Sequence, residues 1–203
     1  MSEFLLILLP GMMYFWVLFI GQGPLQEVLQ EKENQILPRL LAAPVTLLQF
    51  VLAKMLRCFV LCALALLLLV LCSALLFGMK WGNPLVLSVV IAACALSMTG
   101  LLAFTYSLAR TREQANVMSS VVLLVFALVG GGMFPFENLP GFLQTLGQFT
   151  PNRWGVLALR GVANAKPLVE LLQPLLGLVA LGALGSLMAF FLFGRQLAQG
   201  RGR

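Results

Sequence analysis

Histidine and aspartate are both missing from this 203-residue chain, and glutamate supplies all seven of its acids. Their absence excludes Ser-His-Asp triads and histidine general bases, and it removes the usual ligands of most zinc and iron sites. Charge of either sign is scarce: 10% of residues are charged, against about 25% in an ordinary soluble domain. A soluble fold could not cover its surface with so few polar groups. No G-x-x-x-x-G-K-[ST] occurs, so these residues form no ATP-binding P-loop. The four cysteines (Cys58, Cys62, Cys72, Cys94) all lie in apolar runs and no CxxC is present. They read as small buried apolar residues rather than ligands or disulfides.

What is present is hydrophobic: 61% of residues, with a mean hydropathy of +0.99. An integral membrane protein follows. Five runs are long enough to span, at about 4–21, 58–78, 85–108, 117–134 and 175–194. Each is near the ~20 residues that a ~30 Å hydrocarbon core requires. Backbone amides in lipid must be paired internally, so the spans are helices and residues 1–203 form one transmembrane domain. No cleavable signal peptide is expected, since the first run lacks a basic start and contains Pro10.

The net charge of +6 suits membrane orientation better than nucleic acid, because the positives lie beside the spans. One side would hold Lys32, Arg39, Lys54, Arg57, Arg110, Arg112, Arg195, Arg201 and Arg203. The other would hold Lys80, Arg153, Arg160 and Lys166. The larger set marks the cytoplasmic side, with the N-terminus outside and the C-terminus inside. Trp81, just past the second span, suits an interfacial anchor.

Two segments between spans carry their own punctuation. Glu27–Thr46 holds Glu27, Glu31, Lys32, Glu33 and Arg39. Gly23-Pro24 suits a helix start with Pro24 at its first position. Pro38 then divides the segment, and Ile36, Leu37, Leu40 and Leu41 make an apolar face. Thr46 with Gln49 forms a capping-box pattern that opens the helix into span two. Thr111 to Gln114 repeats that pattern between spans three and four. On the other side, residues 139–163 read as two short amphipathic helices at the outer leaflet, the second opened by Thr150-Pro151.

Within the spans the polar residues are Ser97, Thr99, Thr105, Tyr106, Ser107, Asn116, Ser119 and Ser120. Such residues suit either close helix packing or a substrate path. No charge stands at mid-span, so a proton relay is not expected, and an apolar or amphipathic substrate fits such a path best. Gly130–Gly132 suits either a hinge or close packing. Gly182 with Ser186, and Gly185 with Ala189, suit packing within the chain or across a dimer.

The stretch Glu31–Lys54 carries Glu31-Lys32-Glu33, Leu40-Leu41, Pro44-Val45-Thr46 and Lys54. The stretch Gln114–Val162 carries Gly130–Gly132, Phe134-Pro135, Leu139-Pro140, Pro151-Asn152-Arg153-Trp154 and Arg160. In this order and with these span lengths, the chain resembles the permease subunits of ABC-2 type exporters. Two features depart from that pattern: Gln35 stands where glycine is usual, and Pro38 interrupts the helix. Members of that family carry six spans, so the chain is expected to be their C-terminal five-span portion, with the first span and any outer domain missing.

The resemblance implies an all-α polytopic membrane protein: five transmembrane helices, a cytoplasmic coupling helix (residues 24–46) and two outer amphipathic helices. It implies a permease in the bacterial inner (plasma) membrane that exports a drug, lipid or other amphipathic substrate. Power would come from a separate ABC ATPase, which would hold the ATP and Mg; this chain would carry no cofactor and no catalytic or metal site. A second permease copy would complete a homo- or heterodimer. Glu31, Lys32, Glu33, Arg39, Leu40 and Leu41 would meet the ATPase. Ser97, Thr99, Tyr106, Asn116 and Ser119 would line the path, and Phe134, Pro135, Trp154 and Arg160 an outer gate. Alternatives are a non-transporting immunity or assembly factor, or a truncated fragment of such a permease.

Overall fold

The computed structural model describes residues 2–36, 46–134 and 136–199, and among them every regular element is helical. Helix α1 (Ser2–Ile20) passes into α2 (Gln22–Glu33) across Gly21 alone. The Gly21 amide still donates to the Val17 carbonyl at 2.9 Å, so helical bonding reaches the junction. The pair supplies one membrane-length stretch of 24 residues, Leu8–Glu31, which ends ten residues beyond the expected first span. Gly21 is needed there: a Cβ would lie 2.6 Å from Cys62 Sγ and 2.9 Å from Leu102 Cδ1. Pro24 falls in the first turn of α2, two residues later than its expected first position, where its missing N–H is still no loss.

Helix α3 (Leu47–Phe77) opens on the capping box: Thr46 Oγ1 accepts from the Gln49 amide, and Gln49 Oε1 from the Thr46 amide. Its 31 residues extend about 46 Å, well beyond a ~30 Å apolar layer. The turns carrying Lys54 and Arg57 therefore project past that layer. Leu56, Leu64, Leu68, Leu71 and Leu75 stay exposed along α3, as lipid contact requires. Trp81, beyond the helix end, donates from Nε1 to Ser73 Oγ at 2.9 Å.

Helix α4 (Pro84–Leu108) is the centre of the bundle, buried along much of its length. It lies against α8 (Leu172–Gln199) at backbone contact. A Cβ on Gly100 would overlap the Gly182 carbonyl oxygen, and one on Gly185 would come 2.7 Å from the Gly100 carbonyl oxygen. The small-residue face of the last span is thus occupied within the chain. Helix α5 (Arg112–Val129) is capped by Thr111, with Gln114 Oε1 accepting from the Arg110 amide.

The fourth span was expected to reach 134, but its helix ends at Val129. Gly131 adopts φ +75°, and the Gly132 amide bonds back to the Ala127 carbonyl at 2.8 Å. The glycine run is a helix stop packed against α1: a Cβ on Gly11 would lie 2.9 Å from the carbonyl oxygens of Gly131 and Gly132. A 3-10 turn (Phe136–Asn138), α6 (Gly141–Gly147) and α7 (Pro151–Ala163) follow, then a second 3-10 turn (Leu168–Leu171).

Helix α6 exposes Phe142 and Leu146, as an outer-leaflet helix would. Helix α7 does not lie on a surface; it is seated among α1, α4 and α8. Its face of Gly155, Ala158, Leu159 and Val162 is buried, and Gly155 leaves room for the Tyr14 ring. Glycine and alanine at those positions allow the helix to sit inside the bundle rather than upon it. Among the described residues, candidate spans number five: Leu8–Glu31, Gln49–Phe77, Pro84–Leu108, Arg112–Val129 and Leu168–Gly194.

Candidate functional site

One end of the bundle gathers the charges that flank residues 37–45. Lys54 Nζ donates to Glu27 Oε2 and to Glu31 Oε1, each at 2.8 Å, and Arg57 donates to Glu27 Oε2 at 2.6 Å. The helical repeat explains the cluster. Glu27 and Glu31 are i, i+4 on α2, and Lys54 and Arg57 are i, i+3 on α3, so each pair shares a face. Two anions meet two cations, and the cluster closes without net charge. The Lys54 side chain is 14% exposed and that of Arg57 is 61% exposed, so lysine is the inner strut and arginine the outer one. Glu33, two residues on and exposed, accepts from the Arg112 amide at 2.8 Å, tying α2 to the α4–α5 turn.

A neutral polar knot lies directly inward of that end. The Tyr106 hydroxyl is 3.1 Å from both Gln22 Oε1 and Asn116 Oδ1, and Ser119 Oγ is 3.0 Å from Gln22 Oε1. One hydroxyl carries one proton, so Tyr106 donates to one amide; turning the other amide about its plane lets it donate to the phenol oxygen. Every member of the knot then has a partner. It joins α2, α4 and α5 where buried polar groups are costly unless paired.

Of the residues expected along a path, Tyr106, Asn116 and Ser119 are therefore together. Ser97 and Thr99 are elsewhere, buried among α1, α3 and α4. Tyr14 hydroxyl donates to Ser97 Oγ at 3.5 Å. Thr99 Oγ1 is buried with no hydrogen-bond partner among the described residues. Of the residues expected to meet a partner, Glu31 is engaged with Lys54 inside the chain, and Glu33 with the Arg112 amide. The side chain of Lys32, and Arg39, Leu40 and Leu41 entirely, lie outside the described residues, as does Pro135. Among the remaining outer-gate residues, Phe134 is exposed after α5, Trp154 packs its ring on Gly177 of α8, and Arg160 stands in the last turn of α7.

Four functional candidates were missed: Glu27, Lys54 and Arg57 as one cluster, and Gln22 as the hub of the knot. The i, i+4 glutamates and the i, i+3 cations were visible signals. Gln22, the only hydrogen-bonding side chain between Gly21 and Gly23, had no periodicity to betray its role. No group of three or more Cys, Asp, Glu or His suited to a metal exists among the described residues.

Three comparisons bear on this arrangement. A family model described as "ABC-2 family transporter protein" matches residues 1–191. The linearmycin resistance permease protein LnrN of Bacillus subtilis (strain 168) is 26% identical over 181 residues, covering 89% of this chain and 45% of that protein. The chain thus spans about half the length of the curated relative that it matches. No solved structure matches.

Proposed function

This chain belongs to the ABC-2 family of transporter proteins, and from that premise we propose that it is the membrane half of an exporter driven by a separate ATPase subunit. It is a multi-pass membrane protein by its five apolar helices and its family. In the proposed complex, residues 24–46 dock on the ATPase from the cytosolic side. The N-terminus faces outward, and a second permease copy completes the assembly. An amphipathic cargo, such as a drug or lipid, suits an interior without charge at mid-span. That a similar protein is titled a linearmycin resistance permease supports the class of activity.

The observation that carries this reading is the ion cluster. Glu27 and Glu31 before residues 37–45 are held to Lys54 and Arg57 after them. A segment clamped at both of its ends moves its two helices together when a partner pulls on it. Glu33 and the knot at Tyr106 pass that motion to α4 and α5. Rigid-body tilting of packed spans is a recurrent form of such switching. Lys32, Glu33 and Arg39 are the charges assigned to cross-subunit pairs, with Leu40 and Leu41 as their apolar neighbours.

The test is co-expression with the cognate ATPase, scoring complex formation and substrate-stimulated hydrolysis. Reversing Glu33 and Arg39 together should weaken co-purification. Undiminished co-purification would remove the docking role, and failure to bind any ATPase would favour a non-transporting protein.

A further inference from the structure

Asn152, in the first turn of α7, is fully buried, and neither its Oδ1 nor its Nδ2 has a hydrogen-bond partner among the described residues. A carboxamide can make several such bonds, and leaving one unpaired away from water is costly. Helix capping does not account for its presence. Thr150 already caps α7, its Oγ1 accepting from the Arg153 amide at 3.3 Å. The nearest backbone is the glycine stop that ends α5. A Cβ on Gly130 would lie 2.5 Å from the Asn152 Cβ, and one on Gly132 would lie 3.2 Å from Nδ2. With no side chain on either glycine, the carboxamide rests against that backbone without bonding it. The stop is also the adjustable part of α5. The helix rises about 27 Å over its 18 residues, short of a ~30 Å apolar layer. Gly131 holds φ +75°, a conformation that glycine enters and leaves freely.

We propose that Asn152 is the latch of a second position of this segment, in which its carboxamide bonds a peptide group of Gly130–Gly132. A small shift of the α5 end against α7 brings the two into bonding range. The described state carries the unpaired amide and the latched state does not, so the amide biases the equilibrium toward the latch. Helix α5 joins this end to the other. Asn116 and Ser119, near its start, belong to the polar knot, and the stop lies at its finish. On the exporter reading, on which the latch's role in transport rests, a tilt passed to α5 through the knot throws the latch at the far end of the same helix.

The test has two arms. The first takes the purified full chain alone in detergent and follows its melting temperature and the amide hydrogen exchange of residues 127–134. Asn152→Leu should hold or raise the melting temperature. It should also slow that exchange about tenfold, because the excursion toward the latch no longer gains a bond. Gly132→Ala reaches the same end by another route: it keeps the amide and places a methyl 3.2 Å from Nδ2, between the amide and the backbone. The second arm adds the cognate ATPase. Both variants should bind it as the unaltered chain does, while substrate-stimulated hydrolysis falls about tenfold.

Unchanged exchange in Asn152→Leu would overturn the latch whatever the ATPase does. So would a lower melting temperature, which a merely structural amide would give. Full stimulated hydrolysis in both variants would overturn its role in transport. Failure of the unaltered chain to bind any ATPase would count against the exporter reading instead, and the first arm would still decide the latch.

Discussion

Lys54 on α3 holds Glu31 on α2 at 2.8 Å across 23 residues of chain, and the same ammonium holds Glu27. One side chain thereby fastens both ends of the segment assigned to the ATPase. Removing it should separate two properties usually lost together. Lys54→Ala is expected to leave the ATPase bound but to abolish most substrate-stimulated hydrolysis. Thermal stability should fall by about 1–2 kcal/mol, since the partly buried Glu31 loses Lys54 and Glu27 keeps only Arg57. Arg57→Ala, at an exposed position, should cost under about 0.5 kcal/mol. The double reversal Lys54→Glu with Glu31→Lys should recover part of the coupling. Full coupled hydrolysis in Lys54→Ala would refute the clamp.

Gly100 and Gly182 set the distance between α4 and α8. Gly100→Ala is expected to destabilise the protein by about 1–3 kcal/mol, because its methyl would overlap a backbone carbonyl that cannot move alone. Gly23→Ala is the control: nothing lies within 4 Å of its added methyl, and better helix propensity should stabilise by about 0.5–1 kcal/mol. Melting curves of the two variants in the same detergent decide the point. Equal midpoints would mean that α4 and α8 are not in backbone contact.

The polar knot makes a quantitative claim. A double-mutant cycle on Gln22→Leu and Tyr106→Phe should give a coupling energy of about 0.5–1.5 kcal/mol, the usual range for hydrogen bonds between membrane helices. Additive effects would indicate that the two side chains do not share a bond.

Asn152 at the start of α7 is fully buried, and neither atom of its amide has a partner among the described residues. Asn152→Leu therefore loses no bond and removes an unpaired polar group. Stability should hold or rise, by up to about 1–3 kcal/mol. A marked fall in melting temperature would show that the amide is bonded after all.

Local chemistry was the legible part of this chain. Thr46 with Gln49, Thr111 with Gln114, and Thr150 before Pro151 each cap a helix, because a cap depends on residues within one turn. The in-span polar residues were also legible as a set, yet only Tyr106, Asn116 and Ser119 meet. Their hub, Gln22, lies 84 residues from Tyr106, and nothing local announces such a partner. Glu31 illustrates the same limit. Its charge was visible and its place beside the docking segment was visible, but its bond to Lys54 needed the two helices side by side.

By itself, then, the sequence determined that this is a helical membrane protein with charges kept to the ends of its spans. Hydrocarbon leaves a backbone few ways to pair its amides, and those constraints act along the chain. Only the tertiary structure decided that the last span's glycines are used against α4 and that α7 sits inside the bundle. It also decided that the glutamates of α2 are gripped by Lys54. Those outcomes depend on which faces come together, and helices in lipid associate through close packing and paired polar groups that no single segment specifies.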